Sequence, residues 1–211
     1  PSWIKYNDTF KTLIIGYANG NIDLMDTDGV TNVNDILRNT SIQGDKRITN
    51  IYVDGSSLVY FSTPFGLVIM DLVTRQFKST VFTNSPVQGF TVFEGRYYLA
   101  VENGLYSYDP LSGNIIEDFS SWTKIVVPSL PGQYSCQAVD VYQGTLYAGL
   151  DGDLYKLDQG EFLLWYTQAG FTLDFISSES QNLIVGFACD LDCVGKVFYF
   201  RDENFATVFS Q

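Results

Sequence analysis

Short apolar strands recur along the chain in pairs joined by tight turns. Residues 97–110, YYLAVENGLYSYDP, contain two such strands around an Asn-Gly turn, and nearly every strand position is apolar. A hairpin with one face in water normally alternates between apolar and polar positions. The pattern therefore predicts that both faces of this hairpin are covered.

Four other segments repeat this hairpin, namely TLIIGYANGNIDLMD from Thr12, SLVYFSTPFGLVIMD from Ser57, TLYAGLDGDLYKLD from Thr145 and NLIVGFACDLDCVGKVFYFRD from Asn182. The turn glycines lie at positions 20, 66, 104, 152 and 195, so successive spacings are 46, 38, 48 and 43 residues. Repeats of roughly 40 to 50 residues are typical of propeller blades.

Each hairpin lies between two further apolar segments, which gives every repeat four strands. The segment after the hairpin is clearest in QFKSTVF, NIIEDF, EFLLWY and NFATVF. The links are too short for helical crossovers, and small antiparallel sheets stacked radially would cover both faces of each hairpin. We predict an all-β β-propeller of four-stranded antiparallel blades, with five blades in this chain.

The approximate blade boundaries are 1–47, 48–88, 89–134, 135–170 and 171–211. The chain is long enough to form a single domain. The five blades form either an arc of a larger propeller or a closed five-bladed ring. An open arc would leave apolar blade faces exposed and would favour self-association.

Two stretches depart from the repeat. In the first, TDGVTNVNDILRNTSIQGDKR, Asn32 or Asn34 is predicted to cap a short helix through Leu37. Its beginning partly matches a calcium-binding loop, but Leu24 stands where the first ligand is needed, so a plain Asp-Gly turn is favoured. The second is a long connection over residues 120–135, which contains two prolines and is a candidate binding region.

Composition excludes several classes of function. The chain has 24 acidic and 12 basic residues and a formal charge of −12, which disfavours a nucleic-acid partner. Its longest apolar runs, such as FGLVIM, are far too short to cross a bilayer. The absence of histidine excludes Ser-His and Cys-His pairs and a conventional zinc site. We predict no cofactor and no metal.

Catalysis is not expected. Asp140 and Asp174 are the only acidic residues inside predicted inner strands, and a glycosidase would need such a pair. The favoured alternative is that they hydrogen-bond to backbone or water near the propeller channel. We therefore predict that the chain is not an enzyme.

The cysteines leave two alternatives open. Cys189 and Cys193 lie within one hairpin and are close enough in sequence to form a small disulfide, which would indicate an oxidising compartment. They are equally compatible with two free thiols in a reducing cell. Cys136, in an apolar strand, is predicted to be a buried apolar side chain.

The predicted ligand or partner face carries the central hairpin turns and the long connection. Its residues are Asn19, Phe65, Asn103, Asp151, Trp122 and Tyr134. Trp122 and Tyr134 are candidates for stacking on a sugar or a partner, although packing over the blade is the favoured alternative.

The hairpin repeat resembles the blades of two-component regulator propellers, and AVENGLYSYDPLSGNI is its best copy. Over about residues 10–110 the chain more closely resembles the N-terminal propeller of the PorZ family of the type IX secretion system in Bacteroidetes. This likeness rests on LIIGYANGNIDLMD, VNDILRNTSIQGDKRITNIYVDG and FGLVIMDLVTRQFKSTVF. The resemblance implies an exported, surface-associated protein without catalysis, one that works beside outer-membrane partners and helps to deliver an anionic lipopolysaccharide. No functional residue of the family is carried over.

The leading hypothesis is a non-catalytic scaffold of a surface secretion complex, located in the periplasm or on the outer cell surface. It would bind protein partners and a glycan, without inserting into the membrane. The alternative is the ligand-sensing ectodomain of a hybrid two-component histidine kinase. A propeller glycosidase is the third hypothesis.

Overall fold

The computed structural model describes residues 1–179, 182–191, 193–201 and 204–210, with backbone alone for Glu179 and for residues 204–210. The described residues form five sheets of four antiparallel strands each. Within every sheet the strands are paired in sequence order, so each sheet is one blade. The predicted fold class, an all-β β-propeller with five four-stranded blades, is confirmed.

The strands of the first two blades are β1 (Trp3–Asn7), β2 (Thr12–Gly16), β3 (Ile22–Asp26), β4 (Gly29–Val33), β5 (Asn50–Val53), β6 (Leu58–Thr63), β7 (Gly66–Asp71) and β8 (Gln76–Phe82). Those of the third are β9 (Val87–Phe93), β10 (Arg96–Val101), β11 (Gly104–Tyr108) and β12 (Thr123–Lys124). Those of the last two are β13 (Cys136–Tyr142), β14 (Thr145–Leu150), β15 (Asp153–Asp158), β16 (Glu161–Tyr166), β17 (Phe171–Glu179), β18 (Asn182–Cys189), β19 (Lys196–Arg201) and β20 (Asn204–Ser210).

The chain forms two compact units. The first contains Pro1–Phe90 and Pro110–Trp122, and the second contains Thr91–Asp109 and the residues from Thr123 onward. No helix in the described residues is long and apolar enough to span a bilayer.

The core of the first unit lies between blades one and two. Alternate residues of each strand face this core, because successive side chains in a strand point to opposite faces. The buried residues are Ile14, Ile22 and Leu24 from blade one and Ile51, Val59, Phe61, Val68 and Met70 from blade two. Gly16 allows close approach here, since a Cβ atom at this position would lie 2.8 Å from Cβ of Ile48.

The second unit has two apolar clusters. One joins β10 and β11 to blade four through Ala100, Leu105, Leu146 and Ala148. The other joins blades four and five and is rich in aromatic residues. In it the Tyr166 ring makes edge contacts with Phe187, Phe198 and Phe200, with centroid distances of 5.7 to 5.9 Å.

The fourth strand of blade three was assigned wrongly from the sequence. NIIEDF, residues 114–119, forms no strand, and the outer strand is the two-residue β12, which pairs with β11. The segment turns instead of extending, because the Asp118 carboxylate accepts a hydrogen bond from the Ser120 N–H and caps a 3₁₀ turn over Phe119–Ser121. Blade three also begins at Val87, slightly before the predicted boundary.

The first departure from the repeat contains both a strand and a helix. Asn32 lies in β4, and the short helix α1 (Asp35–Arg38) follows Asn34. The Asn34 side chain makes no capping hydrogen bond. The Asp-Gly turn joins β3 to β4, and the Asp26 carboxylate accepts hydrogen bonds from the Asp28 N–H and the Arg75 guanidinium.

The structure pairs Cys189 and Cys193 in a disulfide, with their Cα atoms 5.6 Å apart. Cys136 is a buried free thiol in β13, and burial raises its pKa well above the ordinary range. It is therefore an inert apolar side chain rather than a nucleophile.

Candidate binding site after the third blade

A pocket lies in the long connection that follows blade three, entirely within the second unit. Its volume is about 320 Å³. The connection joins β12 to β13, and its two arms, residues 124–127 and 130–134, line the pocket. The lining residues are Lys124, Ile125, Val126, Val127, Pro128, Leu130, Pro131, Gly132 and Tyr134.

Tyr134 holds the two arms together. Its hydroxyl donates to the Ile125 carbonyl oxygen at 2.6 Å and accepts from the Leu105 N–H at 3.4 Å. The Ile125 N–H in turn donates to the Leu105 carbonyl oxygen at 2.8 Å, which extends the pairing beyond β12. Burial raises the pKa of the Tyr134 phenol far above its ordinary value, so this hydroxyl stays protonated and able to donate.

Lys124 lies at the edge of the pocket. Its Nζ donates to Oε1 of Gln133 at 3.0 Å and lies 4.9 Å from the centre of the Tyr134 ring. The side chain runs over Gly104, where an added Cβ would come within 2.5 Å of Cε of Lys124. Gly104 also has φ of 141°. Glycine at this position therefore allows the backbone conformation of the turn and leaves room for the Lys124 side chain.

The returning arm is tethered to blade four. The Ser135 N–H donates to Oδ1 of Asp151 at 2.7 Å, and the Asp151 N–H donates to the Ser135 carbonyl oxygen at 3.1 Å. The pocket is thus built from a connection that is tied to the blades at several points.

Three residues of the predicted face lie around this pocket. Tyr134 is its buried wall, Asp151 anchors the end of the connection, and Asn103 lies in the turn that precedes Gly104. In the first unit, Asn19 is exposed in the turn between β2 and β3, and Phe65 packs against Phe82 with ring centroids 6.2 Å apart. Whether this face binds anything stays a prediction.

Stacking on Trp122 or Tyr134 is not supported, because both side chains are buried. Nε1 of Trp122 donates to the Ile116 carbonyl oxygen at 3.0 Å, so the indole is hydrogen-bonded to the segment that precedes β12. Both rings pack inside the protein, which is the alternative favoured from the sequence. The pocket residues missed from the sequence are aliphatic, and the paired prolines around Leu130 were the signal for them.

The two interior acids have different surroundings. The Asp140 carboxylate accepts hydrogen bonds from the N–H of Val141 at 2.8 Å and of Ser178 at 2.7 Å, which links β13 to β17. Asp174 is exposed where the pairing of β17 with β18 is interrupted by a bulge. Asp140 therefore acts as a tie between two inner strands.

Solved structures with the same fold include a bacterial surface protein, the extracellular domain of a putative two-component system and a β-propeller domain. PorZ, described as an essential bacterial surface component of the type IX secretion system of Porphyromonas gingivalis, is 22% identical, with a TM-score of 0.74 over 98% of this chain and 27% of PorZ. The extracellular domain of the putative hybrid two-component system BT4673 from B. thetaiotaomicron is 15% identical, with a TM-score of 0.68 over 98% of this chain and 27% of that one. The Cps50 (Swd1) β-propeller domain of Myceliophteria thermophila is 16% identical, with a TM-score of 0.68 over 97% of this chain and 69% of that one.

At these low sequence identities the structural similarity shows a shared fold and nothing further. The chain spans about a quarter of the length of the PorZ and BT4673 chains. No curated protein sequence matches it. Residues 2–123 match the family described as the TSS9, PorZ, N-terminal beta-propeller domain, which is more than half of the chain. The chain therefore belongs to the PorZ N-terminal β-propeller family.

Proposed function

We propose that this chain is a non-catalytic interaction domain of an exported cell-surface protein and serves a type IX secretion system. The observation that carries the proposal is the family match over residues 2–123. PorZ of P. gingivalis is itself described as an essential surface component of that system. In this role the domain holds partner proteins in place, and the chemistry of secretion belongs to those partners.

The polar groups of the described residues favour binding over catalysis. The sequence has no histidine, and both oxygens of the Asp140 carboxylate accept backbone hydrogen bonds. A glycosidase needs two carboxyl groups facing one bond, one of them with a raised pKa. Asp174 is solvent-exposed, and it does not line the apolar pocket described above.

Apolar surface supports protein partners. The pocket in the connection is one such surface. The second is the outer face of blade one, where Ile4, Tyr6 and Met25 are 52%, 49% and 44% exposed. Apolar patches of this kind commonly mark protein interaction sites. Self-association through the outer face of blade one and binding of a glycan are further parts of the proposal.

The disulfide between Cys189 and Cys193 supports export, because disulfides persist in oxidising compartments. We place the protein in the periplasm or on the outer cell surface. The sensor hypothesis has support from fold alone, since the two-component ectodomain is 15% identical. A membrane helix and a kinase domain in the same gene would favour that hypothesis.

Deletion of this domain from its gene tests the proposal. We expect type IX cargo to be lost from the cell surface. We also expect fewer secretion partners to be cross-linked to the protein that carries the deletion. A matched strain carrying Asp174→Asn should secrete normally, because this exposed carboxylate is not used in catalysis. Normal cargo display in the deletion strain would contradict the proposal, and loss of a hydrolytic activity in the Asp174→Asn variant would contradict the non-catalytic part.

A further inference from the structure

We propose that the pocket in the connection binds a partner peptide carrying an apolar side chain next to a carboxylate. The apolar side chain enters the pocket and the carboxylate pairs with Lys124. This inference rests on the proposed function as an interaction domain and names the chemistry of the partner at one site.

The size and lining of the pocket suit a large aliphatic or aromatic side chain. Its volume of about 320 Å³ is at the lower end of ligand pockets, which span roughly 300 to 1,000 Å³. Ile125, Val127 and Leu130 supply aliphatic walls, and Pro128 and Pro131 form part of the rim. Polar anchoring groups are few, so burial of apolar surface is the main driving force.

The pocket is preformed. The Leu130 N–H donates to the Val127 carbonyl oxygen at 2.9 Å, which closes a turn between the two arms. Pro128 fixes φ inside this turn, and Pro131 fixes φ directly after it. Together with the Tyr134 and Ser135 hydrogen bonds, these restraints hold the walls in place before a ligand arrives. Little ordering is therefore required on binding, which favours affinity.

The surroundings of the pocket favour a peptide over a compact molecule. Val126, Pro128 and Pro131 line the pocket but are largely exposed to solvent, and Val126 is 84% exposed. A ligand confined to the pocket would leave these side chains in water. A peptide crossing the rim would cover them while it inserts one side chain.

Lys124 supplies the charge selection. Its Nζ contacts the amide of Gln133 and the ring of Tyr134, which are both neutral groups. In the described part of the chain no carboxylate forms an ion pair with it. A lysine held at the rim with neutral neighbours attracts a carboxylate and repels a cationic group. The formal charge of −12 disfavours a polyanion, whereas a single carboxylate can be accommodated locally.

Peptide titrations monitored by ¹⁵N NMR test the proposal on the whole chain. The probe is a capped Gly-Gly-Leu-Asp-Gly-Gly peptide, and the matched probes replace Asp by Asn or Leu by Ala. We expect shifts centred on residues 124–134. Binding should weaken by about threefold with Asn, because a rim ion pair is lost. It should weaken about tenfold with Ala, because less apolar surface is buried.

Lys124→Met removes the charge and keeps an unbranched apolar stem. We expect it to abolish the preference for Asp over Asn and to retain the preference for Leu over Ala, while Lys124→Arg restores the first preference. The matched control is Lys196→Met on β19, where Nζ lies 4.3 Å from the centre of the Phe171 ring. It should leave all peptide affinities unchanged. Comparison of the NMR spectra without peptide establishes that each variant is folded.

Three results would overturn the inference. One is the absence of shifts at residues 124–134 up to about 10 mM peptide, a concentration that detects very weak binding. The second is equal affinity of the wild-type chain for the Asp and Asn peptides. The third is tighter binding of octanoate than of the Leu-Asp peptide, which would assign the pocket to a lipid carboxylate. If the domain deletion abolishes secretion and any of these three results is obtained, the inference fails and the proposed function stands.

Discussion

Blades one and two present equivalent faces to very different surroundings. Ile51 and Met70 of blade two are 2% and 0% exposed, because this face packs on blade one. The equivalent residues of blade one, Ile4 and Met25, are 52% and 44% exposed. The strand registers establish the equivalence, since Ile51 pairs with Phe61 in blade two and Ile4 pairs with Ile15 in blade one.

At one pair of equivalent positions the two faces differ in polarity. Val68 of blade two is buried, and its counterpart in blade one is Asp23, aligned through the shared Met-Asp that ends each strand. The Asp23 carboxylate accepts hydrogen bonds from the Tyr17 hydroxyl and from Nδ2 of Asn32, both at 2.7 Å. A face covered by another apolar blade has no need of such a group. Apolar residues at repeat positions therefore predict the blade, whereas the burial of these residues depends on whether a neighbouring blade covers them.

The largest expected effect comes from making the covered face resemble the uncovered one. Val68→Asp places a carboxylate without partners in the core between blades one and two. We expect a loss of about 3 to 5 kcal/mol in the free energy of unfolding, since an unpaired buried charge is strongly destabilising. Urea denaturation measures it. Asp23→Val is the reverse control on the half-exposed face, and a loss in Val68→Asp no larger than that in Asp23→Val would contradict the difference between the two faces.

A matched pair of isoleucines isolates burial from side-chain chemistry. Ile51→Ala should lower the free energy of unfolding by about 2 to 5 kcal/mol, because it leaves a cavity in the core. Ile4→Ala should lower it by less than about 1 kcal/mol, since the side chain is half exposed. Both values come from the same denaturation experiment. Equal losses in the two variants would contradict the difference between the faces.

Gly16→Ala would disturb the covered interface from the side of blade one. The new Cβ would lie 2.8 Å from both Cβ and Cγ2 of Ile48, so the backbone must shift. Overpacking of this kind costs about 1 to 3 kcal/mol, measurable as a lower unfolding midpoint. Ala18→Gly, at an exposed turn position, is the control. Gly113→Ala is unsuitable, because Gly113 has φ of 75° and alanine would be strained there. Unchanged stability in Gly16→Ala would mean that blades one and two are not in close contact.

The smallest effect concerns ionisation on the uncovered face. The hydrogen bond to Asp23, followed by partial desolvation and the charge of Asp23, raises the pKa of Tyr17. Because the folded pKa is raised, the contribution to stability is present below the ordinary tyrosine pKa and is lost as pH rises through the folded value. Asp23→Asn should return the Tyr17 pKa toward its ordinary value, as followed by NMR of the labelled ring. An unchanged Tyr17 pKa would mean that the hydrogen bond is absent in solution.

The sequence predicted the blades because each repeat has the same apolar periodicity and turn glycines. It missed β12, since NIIEDF has strand-like apolar residues and the cap by Asp118 on Ser120 depends on a local turn. For Trp122 and Tyr134 it favoured packing over stacking, and both side chains are buried. The pocket formed by aliphatic residues of the connection depends on how its arms fold back, which periodicity does not specify.

Sequence alone also failed to separate the two faces of blade one. Leu13, Ile15 and Met25 read like the covered residues of blade two, and Asp23 was the single polar signal. Coverage depends on a neighbouring blade, and this information lies outside the strand itself.

The two methionines of the chain provide the most direct measurement, because Met25 and Met70 occupy equivalent positions in blades one and two. Native protein is treated with hydrogen peroxide, and sulfoxide at each methionine is followed by mass spectrometry of peptides. Met25 should oxidise at close to the rate of a free methionine, and Met70 should be protected until the protein unfolds. Equal rates at the two sites, or faster oxidation of Met70, would contradict the assignment of one covered and one uncovered face.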